Sequence, residues 1–563
     1  MYINGTAQPP KVAYFCMEYG LDEELKTYAG GLGILAGDYM KSACDLGLPV
    51  VGIGILWKQG YTQQMIDPDG KPFDQYPCYS YDFLNDTRKT VNVMVRGRNV
   101  KCKIWMVDKY KNAPLYLLDT NLPENEDKWI TGRLYGGCDE DRIAQEIVLG
   151  IGGIRALRAL GIDIDVYHFN EGHAVFAGIE LIREKMGQMG LSFDEAVSLT
   201  EHEIVFTTHT PIREGNEVHK HHTLRYMGAY NGLSYDQMVT IGGNPFNMTV
   251  AGLRLSRTSS AVSKLHGVTS NRMWRDVPGR APIISITNGV HPETWQDNSI
   301  KQAYETGGDL LKAHMDKKSS LISEIYKRCG VILDPDKILI GFARRAAPYK
   351  RSDLIFRNPD AIEPYLKSGE IQLIFSGKAH PSDGTGKDIV TNLVKMMKRY
   401  PRSVVFVPNY DMEVGRILTG GCDVWLNNPR RPNEASGTSG MKAAMNGVLN
   451  LSTLDGWWPE ACEHGINGWQ FGDGYEGPDQ DSYDLKALYE TLFSDVLPTY
   501  RNKAKWVQMM ANSISCTSEA FSSERMVKDY YSKLYIPTLA SQQVAAVTNN
   551  QGRKLRKVCV SPR

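Results

Sequence analysis

The sequence has no apolar segment that could cross a membrane and no apolar leader at its start. No apolar run reaches about 18 residues, and residues 1–11 lack the apolar core of a secretory signal. Neither sign of charge predominates, because 64 Lys and Arg residues balance 64 Asp and Glu residues. Such a surface has no overall field to attract nucleic acid or an anionic membrane. We therefore expect the protein to bind neither.

Motifs that pair cysteines are also absent. The ten cysteines are scattered, without a Cys-x-x-Cys pair or the spacing of a zinc finger. This distribution favours free thiols in a reducing compartment over disulfide bonds or a structural zinc ion. We expect a cytoplasmic protein that holds no metal ion.

What the sequence does contain is a repeated alternation of short apolar strands and helical segments. A chain of 563 residues is too long to fold around a single hydrophobic core. Its content of 42% hydrophobic and 23% charged residues is typical of a soluble globular protein. Continuous apolar strands that alternate with helices predict parallel sheets covered on both faces. Two such sheets would form two Rossmann-like domains of the α/β class. The predicted strands lie at residues 12–15, 50–56, 166–169, 204–208, 283–286, 338–340, 371–375, 404–407 and 423–426.

Polar side chains follow many of these strands directly. Any one of these groups could belong to an ordinary loop. Because parallel strands point their carboxyl ends to one edge of a sheet, a whole set of such groups is better explained by a shared cleft at that edge. The groups include Asn170, His173, His209, Asn288, Arg344, Arg345, Lys378 and Tyr410.

The stretch at residues 434–442, Glu-Ala-Ser-Gly-Thr-Ser-Gly-Met-Lys, leads into a predicted helix. Small residues at a helix start favour a phosphate, because the unpaired amides and the helix dipole both attract an anion. Lys442 would lie in the first turns of this helix. A lysine beside a phosphate site is what pyridoxal phosphate requires, namely an amine for its aldehyde and donors for its phosphate. By composition alone, a glycine-rich loop with a solvated lysine is the commoner explanation.

The same stretch resembles the cofactor segment of the α-glucan phosphorylases, which act on glycogen, starch or maltodextrin. In that family the lysine of a Glu-Ala-Ser-Gly-Thr-x-x-Met-Lys run carries pyridoxal phosphate, and all seven fixed positions match here. The resemblance extends over about residues 12–469, through several motifs in the same order. It indicates a short member of the prokaryotic type. It also implies the GT-B glycosyltransferase architecture, in which two Rossmann-like domains face a central cleft.

The strand pattern and the resemblance together suggest a division into domains. The first would comprise residues 1–275 and include a β-rich insertion at about 60–121, where turns and alternating strands interrupt the pattern. The second would comprise residues 276–515 and carry the cofactor lysine. By analogy with two-domain glycosyltransferases, a helix within residues 516–540 would cross back to the first domain. The polar, basic tail at residues 541–563 is expected to be disordered.

A glycine-rich run at residues 28–38 leads into another predicted helix. Glycines permit close approach of the backbone to a phosphate, and the helix start supplies N–H donors, although a structural turn explains the run equally well. The resemblance implies that Gly30 and Gly31 donate their amides to the substrate phosphate and the cofactor.

A basic run at residues 341–351 contains four cations within eight residues. They would repel one another without an anion between them, or else form a solvated basic face. The resemblance implies that Arg345 and Lys350 bind the substrate phosphate and that Arg344 binds the cofactor phosphate. The family usually has lysine at the position of Arg344, so the charge is kept but the geometry is not.

Residues 287–295 resemble the Thr-Asn-Gly-Ile-Thr-Pro-x-x-Trp run of the same family. The resemblance implies that Asn288 bonds a sugar hydroxyl and that Trp295 forms a wall beside the cofactor. It also places Tyr410 against the pyridine ring. Outside that resemblance, both aromatic residues would more often be ordinary core residues.

The implied site therefore has three groups of residues. The catalytic group comprises Lys350, Arg345, Glu434 and Asn288. The cofactor-binding group comprises Lys442, Arg344, Thr438, Ser439, Gly30, Gly31, Tyr410 and Trp295. The substrate-binding group comprises Ala435, Ser436, Gly437, His209, Asn170 and His173.

One position departs from the family pattern. The family presents a histidine whose backbone carbonyl faces the charge that develops at the sugar, and alignment on residues 264–266 places Arg257 there. A backbone carbonyl survives a change of side chain, but a nearby positive charge would disfavour an oxocarbenium ion. Either the rate or the sugar specificity differs from that of the family, or the alignment fails here.

The resemblance implies a retaining phosphorolysis, in which inorganic phosphate attacks the non-reducing-end α-1,4-glucosyl unit and releases glucose 1-phosphate. The transition state resembles an oxocarbenium ion, and the family uses the cofactor phosphate to assist protonation of the leaving oxygen. Paired catalytic carboxylates, as in glycosidases, are then not required. The alternatives are a nucleotide-sugar-dependent α-glucan synthase of the same fold and a non-catalytic glucan-binding scaffold. The family also raises the expectation of a homodimer.

Overall fold

The computed structural model describes residues 8–536, in which two large sheets are flanked by helices. The strands are β1 (Val12–Phe15), β2 (Val50–Ile55), β3 (Gln63–Ile66), β4 (Pro72–Gln75), β5 (Asn85–Val95), β6 (Arg98–Val107), β7 (Leu115–Asp119), β8 (Val166–Asn170), β9 (Ile204–Thr207), β10 (Val218–His219), β11 (Phe246–Asn247), β12 (Thr258–Ala261), β13 (Ile283–Ser285), β14 (Ile338–Ala343), β15 (Ile371–Ser376), β16 (Val404–Val407), β17 (Val424–Asn427), β18 (Leu449–Thr453) and β19 (Gly468–Phe471). The helices are α1 (Gly31–Asp45), α2 (Asp139–Ile147), α3 (Gly153–Leu160), α4 (Phe176–Met189), α5 (Phe193–Glu201), α6 (His221–Met227), α7 (Tyr235–Gly242), α8 (Met248–Leu255), α9 (Lys264–Met273), α10 (Pro292–Trp295), α11 (Asn298–Thr306), α12 (Leu310–Cys329), α13 (Pro359–Ser368), α14 (Gly384–Arg399), α15 (Met412–Gly421), α16 (Thr438–Met445), α17 (Trp458–Ala461), α18 (Gln480–Thr491), α19 (Leu497–Arg501), α20 (Lys503–Ser518) and α21 (Ser523–Tyr530).

Both large sheets are built mainly from parallel strands. The nine-stranded sheet has the order β13-β12-β9-β8-β1-β2-β7-β6-β5, and only β6 pairs antiparallel with its two neighbours. The six-stranded sheet has the order β16-β15-β14-β17-β18-β19 and is parallel throughout. Every residue of β1, β8, β14, β15 and β17 is buried. Helices covering both faces explain such continuous apolar runs, and the predicted α/β class with parallel sheets is confirmed.

The segment of the predicted β-rich insertion contains β3 to β7. In β5, Val91, Val93 and Val95 are buried while their neighbours are exposed, because successive side chains of a strand point to opposite faces. The hairpin formed by β3 and β4 extends to the loop after β15. There Gln64 accepts a hydrogen bond from the Ala379 amide (2.8 Å) and donates one to its carbonyl (3.1 Å).

The last described helix returns to the first sheet. Helix α21 packs against α1, and the hydroxyls of Ser42 and Ser523 lie 2.6 Å apart. A π-helical turn then places Tyr535 OH 2.7 Å from Tyr39 OH. The tail predicted to be disordered, residues 541–563, lies outside the described residues. Across residues 8–536, no helix combines the length and the apolar character needed to cross a bilayer.

The first sheet extends beyond the predicted domain boundary at residues 275 and 276. Strand β13 pairs in parallel with β12, with Ser259 opposite Ile283. The predicted boundary therefore falls within this sheet, because a polar Pro-Gly turn does not distinguish a linker between domains from a loop between neighbouring strands. The nine-stranded sheet therefore continues to Ser285.

A buried ion cluster lies between α12 and the six-stranded sheet. Lys318 Nζ lies 2.7 Å from Asp423 Oδ2, and His314 Nε2 lies 3.0 Å from Asp423 Oδ1. The same carboxylate accepts a hydrogen bond from the Leu339 amide at 2.7 Å. All three charged or titratable side chains are at most 1% exposed. Removal of one partner from such a cluster leaves the other charge buried without compensation.

We expect Lys318→Met to lower the free energy of unfolding by about 3–5 kcal/mol, because Asp423 would remain buried without its cation. Urea unfolding followed by tryptophan fluorescence measures the change. Lys312→Met is the matched control on the same helix. The side chains of Lys312 and its partner Asp316 are 70% and 63% exposed, so their ion pair should contribute no more than about 0.5 kcal/mol. Equal stability of the two variants would contradict this account.

Candidate active site

Two cations converge on one carboxylate at the carboxyl edge of the six-stranded sheet. Arg344 follows β14, and Glu434 lies in the loop after the neighbouring strand β17. Arg344 Nη2 and Lys350 Nζ both donate to Glu434 Oε2. The three side chains are 7–9% exposed. Burial alone would raise the pKa of Glu434, but the two cations hold it down at about 2.

Arg345 lies on the open side of this cluster. It is exposed, whereas Arg344 and Lys350 are largely buried against Glu434. Arg344 and Lys350 are thus engaged with one carboxylate, whereas Arg345 remains accessible to solvent.

Lys442 is buried against an aromatic ring. It is the fifth residue of α16 and is 6% exposed, and its Nζ lies 3.3 Å from the centroid of the Trp295 ring. Trp295 Nε1 donates to Asp38 Oδ1 at 2.9 Å, which fixes the indole. Burial lowers the pKa of Lys442 to about 8, although Asp38 opposes the shift. More of this amine is therefore neutral near physiological pH than of an ordinary lysine.

The start of α16 offers backbone donors. Gly437 precedes it with φ +85°, a left-handed conformation that favours glycine, and no side chain caps the helix. Thr438 and Ser439 form its first turn, and Ser439 Oγ accepts a hydrogen bond from Trp425 Nε1 (3.2 Å). The free amides of such a turn attract an anion.

Several buried polar atoms around this helix start have no hydrogen-bond partner among residues 8–536. They include Arg344 Nη1 and Ser436 Oγ. The neighbouring Ala435 carbonyl accepts a hydrogen bond from Ser263 Oγ at 2.7 Å, so the first-sheet segment reaches this loop. Tyr410 is partly buried, and desolvation raises its pKa to about 12. Buried polar atoms without partners have hydrogen-bonding capacity that a ligand or an ordered water can satisfy.

The glycine-rich loop faces open space. A Cβ at Gly30 or Gly31 would meet no described atom within 4 Å. The Gly30 amide donates to Glu18 Oε2 at 3.0 Å, and Tyr135 OH donates to Glu18 Oε1 at 2.7 Å. The Gly30 amide is thus already engaged by a carboxylate. Gly31 begins α1.

Neutral hydrogen-bonding groups line the carboxyl edge of the nine-stranded sheet. Asn170 ends β8, and its Oδ1 lies 2.6 Å from His209 Nε2. Glu171 Oε2 accepts from the His209 amide at 2.8 Å. His173 is buried, and its Nδ1 has no partner within the described part of the chain. Burial lowers the pKa of both histidines to about 3, so they stay uncharged.

Asn288 and Arg257 lie at opposite edges of the same sheet. The Asn288 amide bonds the Val262 carbonyl at 3.0 Å after β12, and its Oδ1 is buried without a partner among the described residues. Arg257 precedes β12, and its guanidinium donates to the His202 and Tyr535 carbonyls. The placement of Arg257 at the sugar is therefore wrong. A residue before a parallel strand lies away from the residues that follow it.

A second charged cluster lies behind His173. Ligand atoms of Glu146, Glu217 and His219 lie within 4.8 Å of one another. Arg142 Nε donates to Glu217, and His219 Nε2 lies 3.1 Å from Glu146 Oε2. Although burial opposes it, the contact with Glu146 raises the pKa of His219 to about 9. The two cations thus already compensate the two carboxylates, as in a buried ion network.

Three buried carboxylates beside the site escape the sequence analysis. They are Glu18, Asp38 and Asp455. Asp455 Oδ2 accepts from the Glu434 amide at 2.9 Å, and burial together with the charge of Glu434 raises its pKa to about 8. Glu18 follows β1 and Asp455 follows β18, while Asp38 belongs to the glycine-rich run. Their positions after strand ends and in the glycine run are the signals that could have identified them.

Comparison with known proteins agrees with this site. The family model described as carbohydrate phosphorylase matches residues 296–466. A maltodextrin phosphorylase of Thermococcus litoralis is 40% identical, over 94% of this chain and 71% of its own length. A glycogen phosphorylase of Mycobacterium tuberculosis is 37% identical, over 95% and 72% respectively.

A glycogen phosphorylase of Aquifex aeolicus is 35% identical to this chain, over 94% of the chain and 87% of its own length. Similarity at this level extends across both sheets and not only over the segment around Lys442. It also agrees with the motifs that surround the glycine-rich and basic loops. The chain therefore belongs to the carbohydrate phosphorylase family.

Proposed function

We propose that this protein is an α-1,4-glucan phosphorylase that transfers non-reducing-end glucosyl units to inorganic phosphate with retention, giving glucose 1-phosphate. The observation that carries the proposal is the buried Lys442 amine against Trp295, in the helix that follows the loop of Glu434. A scaffold that only binds glucan has no need of a buried amine with a lowered pKa. The names of the relatives, maltodextrin and glycogen phosphorylase, agree with this substrate class.

The proposal includes two Rossmann-like domains that face a cleft, in the GT-B architecture. Each sheet has its own hydrophobic core, and residues that follow strands of one sheet contact residues that follow strands of the other. Thr287 Oγ1 donates to Glu460 Oε2 at 2.8 Å, next to the contact between Ser263 and Ala435. Helix α21 would belong to the second chain segment and pack on the first domain. We take the domain boundary to follow Ser285.

The residues present fit pyridoxal phosphate. Lys442 supplies a partly neutral amine, and Trp295 and Tyr410 supply aromatic walls. Arg344, with its unpartnered Nη1, and the open amides of Thr438 and Ser439 supply donors for a phosphate. When bound, the cofactor would supply a phosphate group that assists proton transfer through the substrate phosphate.

The protein's own groups would bind and orient the two substrates. Lys350 and the accessible Arg345 would hold inorganic phosphate by charge. Glu434, held ionised by its two cations, would accept hydrogen bonds from glucosyl hydroxyls, together with the groups of Ser436 and Gly437. These contacts orient the anomeric carbon towards the phosphate.

The neutral residues of the first sheet would complete the sugar site. His209, Asn170, His173 and Asn288 present uncharged donors and acceptors, which match sugar hydroxyls. Gly31 would contribute a backbone amide to the phosphate, and Gly30 would do so only after leaving Glu18. A homodimer stays an expectation drawn from the family.

A nucleotide-sugar-dependent α-glucan synthase of the same fold is the alternative. Such an enzyme would use the cleft but would have no use for an enclosed amine beside a helix start. Incubation of the purified protein, loaded with pyridoxal phosphate, with maltoheptaose and inorganic phosphate distinguishes the two. Formation of glucose 1-phosphate supports the proposal. Glucosyl transfer from ADP-glucose or UDP-glucose, without phosphate-dependent turnover, would replace it by the synthase.

We expect Lys442 to react with pyridoxal phosphate at a rate that rises about tenfold per pH unit below pH 8 and levels off above it. The reason is that only the neutral amine attacks an aldehyde, and burial lowers the pKa of Lys442 to about 8. Borohydride reduction followed by peptide mass spectrometry measures the adduct. Lys442→Arg should abolish it, whereas Lys264→Arg, at a residue with a 77% exposed side chain, should not. This assignment would be refuted if the label appeared on other lysines and its rate followed the pH dependence of an ordinary lysine.

We expect Glu434→Gln to lower kcat/KM for maltoheptaose by about 100-fold, or about 2.7 kcal/mol. The amide cannot compensate Arg344 and Lys350, so the two cations lose their common partner. Initial rates of glucose 1-phosphate release measure the effect. Glu463→Gln, in the loop after α17, is the control and should retain the wild-type rate. A wild-type rate in Glu434→Gln would remove this residue from the site.

A further inference from the structure

One residue of the basic run has no role in the site described above. Arg351 directly follows Lys350, yet it is completely buried. Its φ is +52°, a left-handed conformation that is uncommon for a residue other than glycine. A buried guanidinium is stable only when its donors find acceptors. The contacts of Arg351 therefore indicate what this conformation achieves.

The guanidinium of Arg351 binds the backbone of the loop that leads to Glu434. Its Nε donates to the Asn428 carbonyl at 2.8 Å, and its Nη2 donates to the Pro429 carbonyl at 2.9 Å. In return, Asn428 Nδ2 donates to the Arg351 carbonyl at 2.8 Å. Three hydrogen bonds thus join the loop after β14 to the loop after β17.

Two carboxylates of α18 complete the environment. Asp484 Oδ2 lies 2.7 Å from Arg351 Nη2, and Asp481 Oδ1 lies 3.0 Å from Nη1. Asp484 is 2% exposed. The planar fork of arginine can bind two carbonyls and two carboxylates at once, whereas the point charge of lysine cannot. The site is therefore built for arginine in particular.

We propose that Arg351 is a positioning residue for phosphate binding, because it sets the separation between Lys350 and Glu434. Lys350 lies on the first of the joined loops and Glu434 on the second. Arg351 itself is buried away from the cleft and touches no substrate. The inference rests on the proposed function, in which Lys350 binds inorganic phosphate. Loosening the two loops then weakens phosphate binding more than glucan binding.

We expect Arg351→Lys to raise KM for inorganic phosphate about tenfold, because the ammonium keeps the charge but loses the fork. KM for maltoheptaose, and kcat at saturating phosphate, should change less than about threefold. The Arg430 amide still bonds the Tyr349 carbonyl at 2.7 Å, so the loops should not separate fully. Steady-state rates give the constants, and protection from thermal unfolding by inorganic phosphate gives binding without turnover.

Arg357→Lys is the matched control. Arg357 Nη1 contacts the same Asp481 at 2.7 Å, but its side chain is 36% exposed and it bonds no carbonyl of the second loop. Its phosphate KM should equal that of the wild type. Asp484→Asn is a second variant, which keeps the arginine and removes one of its anchors. It should also raise the phosphate KM, but by less than Arg351→Lys does.

Two results would overturn the proposal. One is a folded Arg351→Lys variant with the wild-type phosphate KM, and the other is an equal rise of the phosphate and glucan constants. If Arg351→Lys fails to fold, Asp484→Asn decides, and a wild-type phosphate KM there refutes the role. Wild-type protein that yields no glucose 1-phosphate would contradict the proposed function instead. Phosphate protection would then still compare the wild type with Arg351→Lys.

Discussion

The convergence of Arg344 and Lys350 on Glu434 is the interaction on which the site of the six-stranded sheet depends. The positive charges of Arg344 and Lys350 repel each other. The ionised carboxylate of Glu434 between them makes the net electrostatic interaction of the three groups attractive. At an effective dielectric constant of about 20, each unit-charge pair at about 4 Å is worth roughly 4 kcal/mol before desolvation. The cluster retains one positive charge in excess, and Arg345 adds another. This excess of positive charge favours an anion as the ligand at this edge.

Strand order explains why these groups meet. In the six-stranded sheet, the chain leaves β14 towards β15 and β16 and then returns to β17 on the other side of β14. In the nine-stranded sheet, β2 and β8 likewise flank β1 on opposite sides. Crevices open where the strand order reverses in this way. Lys350 and Glu434 follow one reversal, and Glu18 and Asn170 lie at the other.

The sequence predicts nine of the fifteen strands in the two large sheets and the α/β class, because these follow from local hydrophobic patterns. It does not predict strand order, which is a property of the whole chain. The error over Arg257 follows from this limit, since spacing along the sequence does not reveal which end of a strand a residue occupies. Asp455 escapes for a related reason, because its contact with the Glu434 amide spans 21 residues and carries no local pattern. The contacts of Arg351 with the loop after β17 are more distant still.

The two sheets place opposite kinds of polar group around the same candidate cleft. On the first sheet, burial lowers the pKa of His173 and His209, and Arg142 opposes the effect of the nearby Glu217 on His173, so both histidines stay neutral and can only exchange hydrogen bonds. On the second, burial with a counter-charge keeps Glu434 ionised. The difference arises from neighbours and not from depth, since His173 and Glu434 are both buried. A neutral polyol requires uncharged hydrogen-bonding groups, and an anion requires charged ones. A fold with two strand-order reversals supplies one environment of each kind.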